Sequence, residues 1–365
     1  MKTVMLVFGT RPDAVKMCPL LLELRSRNHF NTVALVTGQH RDMLDGVLRA
    51  FGVTPDYDLG VMREEQSLFD VTSGVMDGMR RVLASVRPAA VLVHGDTTTA
   101  FTAALACFYE NIPVCHVEAG LRTYDVHSPY PEEFNRRAVS LISHYDFAPT
   151  ERARQNLMRE GKRGDDVFVT GNTVIDALRY TLRDEYTHPC LEWARGSRVL
   201  LLTMHRRESL GDPMREALRA VRAAIEVRED VRVIFPVHSN PAVRAIAHGA
   251  FDGCERVLLT EPLEVVDFHN IAARAHLVIT DSGGVQEESA ALGKPTIVLR
   301  NKTERQEGVC TGVLLPVGTD FSSITAALCD LLDNVGRYGR MSSSKNPFGS
   351  GDACRKIADA LEKII

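Results

Sequence analysis

Short apolar runs rich in β-branched residues recur along the chain, each followed by a polar break and a segment of helical length. The first half carries TVMLVFG, TVALVTG, AAVLVHGD, IPVCHVEAG, YDFAPT and VFVTGN. After Asn172 the scheme starts again with RVLLLTMH, VRVIFPVH, RVLLTEP, HLVITDSGG, TIVLR and GVLLPVG. Near-continuous apolar strands alternating with helices predict parallel sheets covered on both faces. Two such series predict an α/β fold of two Rossmann-like, doubly wound domains. The seam is expected between Asn172 and Arg198, where RDEYTHPCLEWARGSR reads as a surface connection.

The polar residues gather at one place in each unit, just after the strand. Gly9-Thr10-Arg11, Gly38-Gln39-His40, His94-Gly95-Asp96 and Glu118-Ala119-Gly120 end strands of the first half. His205-Arg206-Arg207, His238 and Asp281-Ser282-Gly283-Gly284 end strands of the second. Ligands of open α/β sheets bind outside the carboxyl ends of the strands, so these residues are candidates to face one cleft. In TDSGGVQEE the glycines permit close backbone approach and a helix start offers unpaired N–H groups and partial positive charge, which suits phosphate. An ordinary strand–turn–helix link with capping residues would look similar.

Length agrees with two domains, and the formal net charge of −4 gives no basic field for nucleic acid or anionic membrane. The apolar stretch at the N-terminus is too short for a signal sequence or a spanning helix. Eight scattered cysteines without a C-x-x-C pair fit reduced thiols in a cytoplasm. G-x-G-x-x-G after the first strand, G-x-x-x-x-G-K-[ST], H-E-x-x-H and G-x-S-x-G are all missing, which argues against dinucleotide, P-loop, zinc and serine-hydrolase readings; no cofactor and no metal are expected. What remains is a phosphate-friendly helix start, cationic Arg11, Lys16 and His205, and the carboxylates Asp96, Glu118 and the Glu132-Glu133 pair. Asp96 before Thr97 can equally be an N-cap, and one of the paired glutamates can be a first-turn residue favoured by the helix dipole.

Taken together, GTRPDAVKMCP, TGQHRDML, HGDTTT, HVEAGLRT, PYPEEFNR, APTE, GNTVIDAL, TMHRRES, HSNP, TDSGGVQEE, GKPTIVLRNKTER and NPFGSGDACRKI run in order from Gly9 to Ile357. This chain resembles the non-hydrolysing UDP-N-acetylglucosamine 2-epimerases of bacteria. The resemblance implies a GT-B-like arrangement of two Rossmann-like domains facing across a cleft, and a homodimer. It implies an N-terminal domain over residues 1–171 with the catalytic carboxylates, a UDP-binding domain over 172–345, and a last helix over 346–365 crossing back to the first. It implies reversible conversion of UDP-GlcNAc to UDP-ManNAc in the cytoplasm, for polysaccharide synthesis. By the same resemblance Asp96, Glu118 and Glu132 lie near C2 of the sugar, with Lys16 in the set and His205 by the diphosphate. Arg11, Ser282, Gly283 and Gly284 would hold the diphosphate, Glu288 the ribose, and the loop from Pro262 to Phe268 the uracil. Gln39, Gln66 and His238 match a second, allosteric UDP-GlcNAc site of some members.

Three departures stand out. Asp13 replaces the usual Glu, Gln306 stands where TERPE is common, and Asp42 and Glu65 add carboxylates beside the second site. Those carboxylates lead to the expectation that this site is weak. Other readings of the same fold are a GT-B glycosyltransferase using a UDP-sugar, a catalytically silent UDP-sugar-binding regulator, or a hydrolytic variant releasing ManNAc.

Overall fold

The computed structural model describes the backbone of residues 1–38, 41–62, 66–301 and 303–365, and all of their side chains except those of 41–43 and 207. The expectations on Gln39 and Glu65, and on the side chain of Asp42, fall outside the described residues. The chain divides into two compact units, residues 1–180 with 349–365, and residues 181–348.

The first unit is built on a parallel sheet. In chain order its strands are β1 (Thr3–Phe8), β2 (Asn31–Val36), β3 (Tyr57–Asp58), β4 (Ala90–His94), β5 (Val114–Val117), β6 (Tyr145–Ala148) and β7 (Val167–Val169). Their spatial order is β3-β2-β1-β4-β5-β6-β7. Leu6 pairs with Ala34 on one side and Leu92 on the other, and all three are fully buried. Helices therefore cover both faces, which is why the strands lack polar alternation. The two-residue β3 has no apolar run to announce it, and the sequence pattern missed it.

The second unit repeats the plan with β8 (Arg198–Thr203), β9 (Val231–Pro236), β10 (Val257–Thr260), β11 (Leu277–Thr280), β12 (Thr296–Val298) and β13 (Leu314–Pro316). The spatial order is β10-β9-β8-β11-β12-β13, again all parallel. Each sheet thus winds outward in both directions from its first strand, and the order reverses between β1 and β4, and between β8 and β11. Those are the switch points where a crevice opens at the carboxyl ends of the strands.

The division between units falls after Tyr180, inside the stretch from Asn172 to Arg198 where the pattern placed the seam. The helix Thr173–Thr181 keeps Val174, Ile175, Ala177 and Leu178 buried. From it Asp176 accepts the backbone N–H groups of Ala353 at 3.1 Å and Cys354 at 3.0 Å. Those are orphan donors at the start of the terminal helix Ala353–Ile364. That helix packs on Arg11–Arg27 and belongs to the first unit. Arg27 ties the pair, with Nη1 at 2.7 Å from Asp359 Oδ1. Among the described residues no helix is long and apolar enough to cross a membrane.

Candidate active site

In the first unit the site grows from three strand ends flanking the switch point. β1 stops at Phe8, and a Cβ on Gly9 would sit 2.0 Å from Thr37 Oγ1, so only glycine fits there. Thr10 caps the helix Arg11–Arg27, accepting from Asp13 N at 3.4 Å, with Pro12 in the first turn. Asp13 and Lys16, one turn apart, are both buried on this helix. A lysine so enclosed needs a partner. Lys16 finds it in Glu118, whose Oε2 receives Lys16 Nζ and also Asn172 Nδ2 at 2.6 Å.

Glu118 follows β5 with φ +65°, a left-handed conformation that costs a non-glycine residue on the order of 1 kcal/mol or more. Gly120 after it, at φ +88°, has no room for a side chain, since a Cβ would lie 2.2 Å from Ala153 O. The strand end is thus bent sharply at the residue that carries the carboxylate.

From the end of β4, Asp96 reaches the site beyond Gly95, itself at φ +62°. Its carboxylate is one quarter exposed and pairs with Arg136 Nη2. Asn135 Nδ2 donates to Asp96 O at 2.9 Å. Both partners lie on the helix Glu132–Ile142, at the positions that share a face with Glu132. The alternative of Asp96 as a cap is closed: Thr97 caps the helix Thr98–Tyr109, accepting from Ala100 N at 3.2 Å.

The structure also separates the paired glutamates. Glu133 is fully buried and accepts Thr123 N and Tyr124 N, each at 3.0 Å, and Arg136 Nη1 at 3.3 Å. It pins the 120s loop and orients the arginine that holds Asp96. Glu132 stays half-buried, at the helix start.

In the second unit the switch point lies between β8 and β11, whose ends are joined by Thr203 Oγ1 and Thr280 Oγ1 at 2.7 Å. Asp281 is fully buried. Its Oδ2 accepts the backbone N–H groups of His205 at 3.0 Å and Arg206 at 2.9 Å. It therefore fixes the loop after β8 and leaves the His205 ring exposed, stacked on His238 at 5.5 Å between centroids.

Ser282 takes the N-cap position of the helix Gly283–Ala291, yet its hydroxyl makes no capping bond and no acid stands in the first turn. Glu287 and Glu288 come in the second turn. A helix start with neither device keeps its partial positive charge for another group. A cation also stands beside it. Arg305 packs so closely that a Cβ on Gly283 would lie 2.9 Å from its Nη1, whereas one on Gly284 would meet nothing nearer than Glu288 Oε1 at 3.8 Å.

Arg305 is buried and held by Glu287 Oε1, 3.0 Å from Nε, and by Glu304. Burial alone would raise the Glu304 carboxyl, but Arg305, Arg300 and Arg206 overcome it and keep this acid well below its usual range. Glu288 Oε2 lies 3.6 Å from His269 Nε2, whose Nδ1 is 2.7 Å from Thr181 Oγ1. Phe268 packs half-buried against the core that includes Cys190, and Pro262 is exposed.

Lys16 and Glu118 are in direct contact, Asp96 is held by the helix that Glu132 begins, and Arg11 opens the helix bearing Lys16. His205, His238, Ser282, Gly283 and Gly284 flank the second switch point. Among the described residues no three or more His, Cys, Asp or Glu side chains are grouped to hold a metal ion.

The profile of the UDP-N-acetylglucosamine 2-epimerase family matches residues 22–362. The chain belongs to that family. The UDP-N-acetylglucosamine 2-epimerase of Bacillus subtilis is 51% identical over 98% of this chain and 94% of its own length. That of Escherichia coli O157:H7 is 43% identical over 98% of each. The crystal structure of UDP-GlcNAc 2-epimerase from Neisseria meningitidis, bound to UDP-GlcNAc, is 41% identical with a TM-score of 0.94, covering 99% of this chain and 100% of that one.

Epimerase-family motifs pointed to the strand-end residues but passed over those that hold them. Arg136 and Arg305 were absent from the candidates, and Glu133, His94 and Asp281 stood among the strand-end and carboxylate candidates without any supporting role being assigned to them. Arg305 had a signal in GKPTIVLRNKTER, where charges of both signs crowd directly after an apolar strand.

Proposed function

We propose that the protein interconverts UDP-GlcNAc and UDP-ManNAc by eliminating UDP to a 2-acetamidoglucal and adding it back after protonation from the other face. The observation that carries this is that each unit bears one kind of chemistry at its own switch point. The lysine-held Glu118 carboxylate at the end of β5 and the arginine-held Asp96 carboxylate after the adjacent β4 support proton transfer, and a helix start with an adjacent arginine supports a leaving diphosphate.

The C2 hydrogen of the sugar is not next to a carbonyl, so direct deprotonation is unfavourable. If the C1–oxygen bond to UDP lengthens first, C1 gains oxocarbenium character and the C2 hydrogen becomes acidic. Asp96, Glu118 and Glu132 are the acid/base groups for the two faces, and a positioned one contributes roughly 10²–10⁴-fold. Arg11, His205, Ser282, Gly283, Gly284 and Arg305 take the charge that develops on the diphosphate. Lys16 keeps Glu118 in place. Glu288 binds the ribose, and the segment from Pro262 to Phe268 the uracil. Division of labour follows the chain, with the acid/base groups on the first unit and, apart from Arg11, the UDP-binding groups on the second.

A homodimer, working in the cytoplasm, completes the reading. Its support is an apolar surface on adjoining helices Leu68–Val86, Thr98–Tyr109 and Glu132–Ile142, where Phe69 is 87% and Leu141 84% exposed and Phe108, Tyr109 and Phe134 lie open too. Phe69→Glu with Leu141→Glu should give monomers by light scattering. The deciding experiment for the reaction follows UDP-GlcNAc by NMR in heavy water. Deuterium at C2 of both epimers is expected; epimer without label would exclude the mechanism, and free ManNAc would place the protein among hydrolytic variants.

A further inference from the structure

Asp96 follows a turn that β5 holds by both of its backbone polar groups. Gly95 N–H donates to Val117 O at 2.9 Å, and Gly95 O accepts from His116 Nε2 at 2.7 Å. Val93 on β4 pairs with His116 on β5, so the ring reaches the glycine two residues beyond its own partner. A carbonyl only accepts, so Nε2 carries the ring's proton. The ring is fully buried, and burial keeps it neutral.

The next carbonyl is held as well. Asn135 is buried on the helix Glu132–Ile142, and its Nδ2 donates to Asp96 O at 2.9 Å. A peptide unit is planar, so a side chain that holds its oxygen holds the whole unit. Gly95 O belongs to the unit before the Asp96 Cα, and Asp96 O to the unit after it. With both units held, φ and ψ of Asp96 are set and its Cβ has one direction. Only the side-chain torsions remain, and Arg136 Nη2 takes the carboxylate at their end. Glycine suits the turn, since φ at Gly95 is +62°.

We propose that His116 and Asn135 are positioning residues for Asp96, each fixing one of the two peptide units that flank it, so that the carboxylate is aimed from the backbone as well as by Arg136. This role rests on the epimerase reading for its effect on turnover. His116 stands two residues before Glu118, and Asn135 three after Glu132. The stretches that bring the other two acids therefore also set the direction of Asp96.

The test uses the full-length protein with His116→Met, His116→Gln and Asn135→Ala, each checked by thermal unfolding. His116→Met and Asn135→Ala leave a carbonyl without its buried donor, so the peptide unit turns toward another partner. Both should lower kcat by about tenfold or more, with KM for UDP-GlcNAc within about threefold. His116→Gln keeps an N–H donor and should stay within about fivefold of the parent. In an Asp96→Asn background there is no acid left to aim, and the same two substitutions should cost less than about twofold more. Independently of turnover, crystal structures of His116→Met and Asn135→Ala should show the peptide unit turned and the Asp96 carboxylate moved off Arg136. In His116→Gln both should keep their places.

An Asp96 carboxylate unmoved in both His116→Met and Asn135→Ala overturns the proposal, whatever kcat does. So does a carboxylate that moves while kcat stays unchanged, or a loss of kcat that recurs in full in the Asp96→Asn background. His116→Gln as slow as His116→Met would give the loss to the packing of the ring and overturn the part of His116. If His116→Met does not fold, Asn135→Ala, a change that helix propensity favours, decides alone. Were the parent to turn over no UDP-GlcNAc, the epimerase reading would fail while the crystal structures would still decide how Asp96 is held.

Discussion

Gly283 and Arg305 are fitted to each other: the space a Cβ would need on Gly283 is taken by the Arg305 guanidinium, 2.9 Å from Nη1, and Glu287 and Glu304 keep it there. Gly284, next in the chain, has no such neighbour. The pair of glycines thus has two different causes, one internal packing and the other open approach.

Opposite behaviour of the two alanine variants follows. Gly283→Ala must displace a buried, ion-paired arginine and should cost about 1–3 kcal/mol of stability, read as a lower urea midpoint, with weaker UDP binding. Gly284→Ala should leave stability unchanged or raise it by up to about 1 kcal/mol, since alanine favours helix. It should still weaken UDP at least tenfold in calorimetry, about 1.4 kcal/mol, by filling the helix start. Equal UDP affinity in Gly284→Ala and the parent would remove the diphosphate from this helix.

The two adjacent glutamates should separate in the same way. Glu133→Ala strips the 120s loop and Arg136 of a fully buried acceptor and should cost about 3–5 kcal/mol in chemical unfolding. Glu132→Gln should unfold like the parent while kcat falls by about 10² or more. Asp96→Asn and Glu118→Gln should show the same loss in kcat with modest change in KM, and Arg11→Ala should weaken UDP as well. Normal turnover in both Asp96→Asn and Glu118→Gln would remove these acids from the reaction.

The parallel sheets were legible because strands buried on both faces must be apolar throughout, and only the two-residue β3 escaped. The strand-end candidates were legible because polar residues have few other reasons to interrupt such runs. What holds them was not. Asp281 looked like one more strand-end acid, yet its role is to fix the backbone of His205 and Arg206, 75 or more residues away. Choosing between Glu132 and Glu133 needs to know which points into the core, and adjacent helix positions differ in direction by about 100° in a pattern too short to read. What keeps the residues just after Asn172 with the first unit is that Asp176 accepts the first N–H groups of a helix that begins at Ala353, a contact invisible along the chain.

Regulation gives a third test. His238 stacks on His205, so a ligand at a second site bearing His238 would touch the ring proposed at the diphosphate. Asp42 and Glu65 add negative charge to the set that includes Gln39 and Gln66, and each 1.4 kcal/mol of repulsion is about tenfold in affinity. Turnover started from pure UDP-ManNAc should therefore be linear from the outset. Glu65→Arg should introduce a lag that added UDP-GlcNAc abolishes. A long lag in the parent, removed by micromolar UDP-GlcNAc, would show a strong second site.

His116 makes the first unit sensitive to acid. The ring is fully buried, with Nε2 at 2.7 Å from Gly95 O, and so supports the turn between His94 and Asp96. Desolvation, reinforced by Arg122, His94 and Lys162, pushes it from 6.5 down to about 3, against the opposing bond to Gly95. The unfolded chain then binds a proton in that window and the folded chain does not. Stability from this group is complete above pH 6.5 and is lost as pH falls toward 3, at about 1.4 kcal/mol per unit. Asp146, whose Oδ1 is 3.8 Å from His116 Nδ1, works in the opposite sense. Burial raises its carboxyl above 3.8, so its contribution is present at low pH and lost as pH rises through the raised value. Comparing the parent with His116→Gln isolates the histidine. The variant should be less stable at pH 7.5, having lost the fitted ring, but its unfolding free energy should fall by about 2 kcal/mol less than the parent's between pH 6.5 and 5. Parallel curves for the two proteins would mean that His116 takes up its proton in the folded state at its ordinary pH.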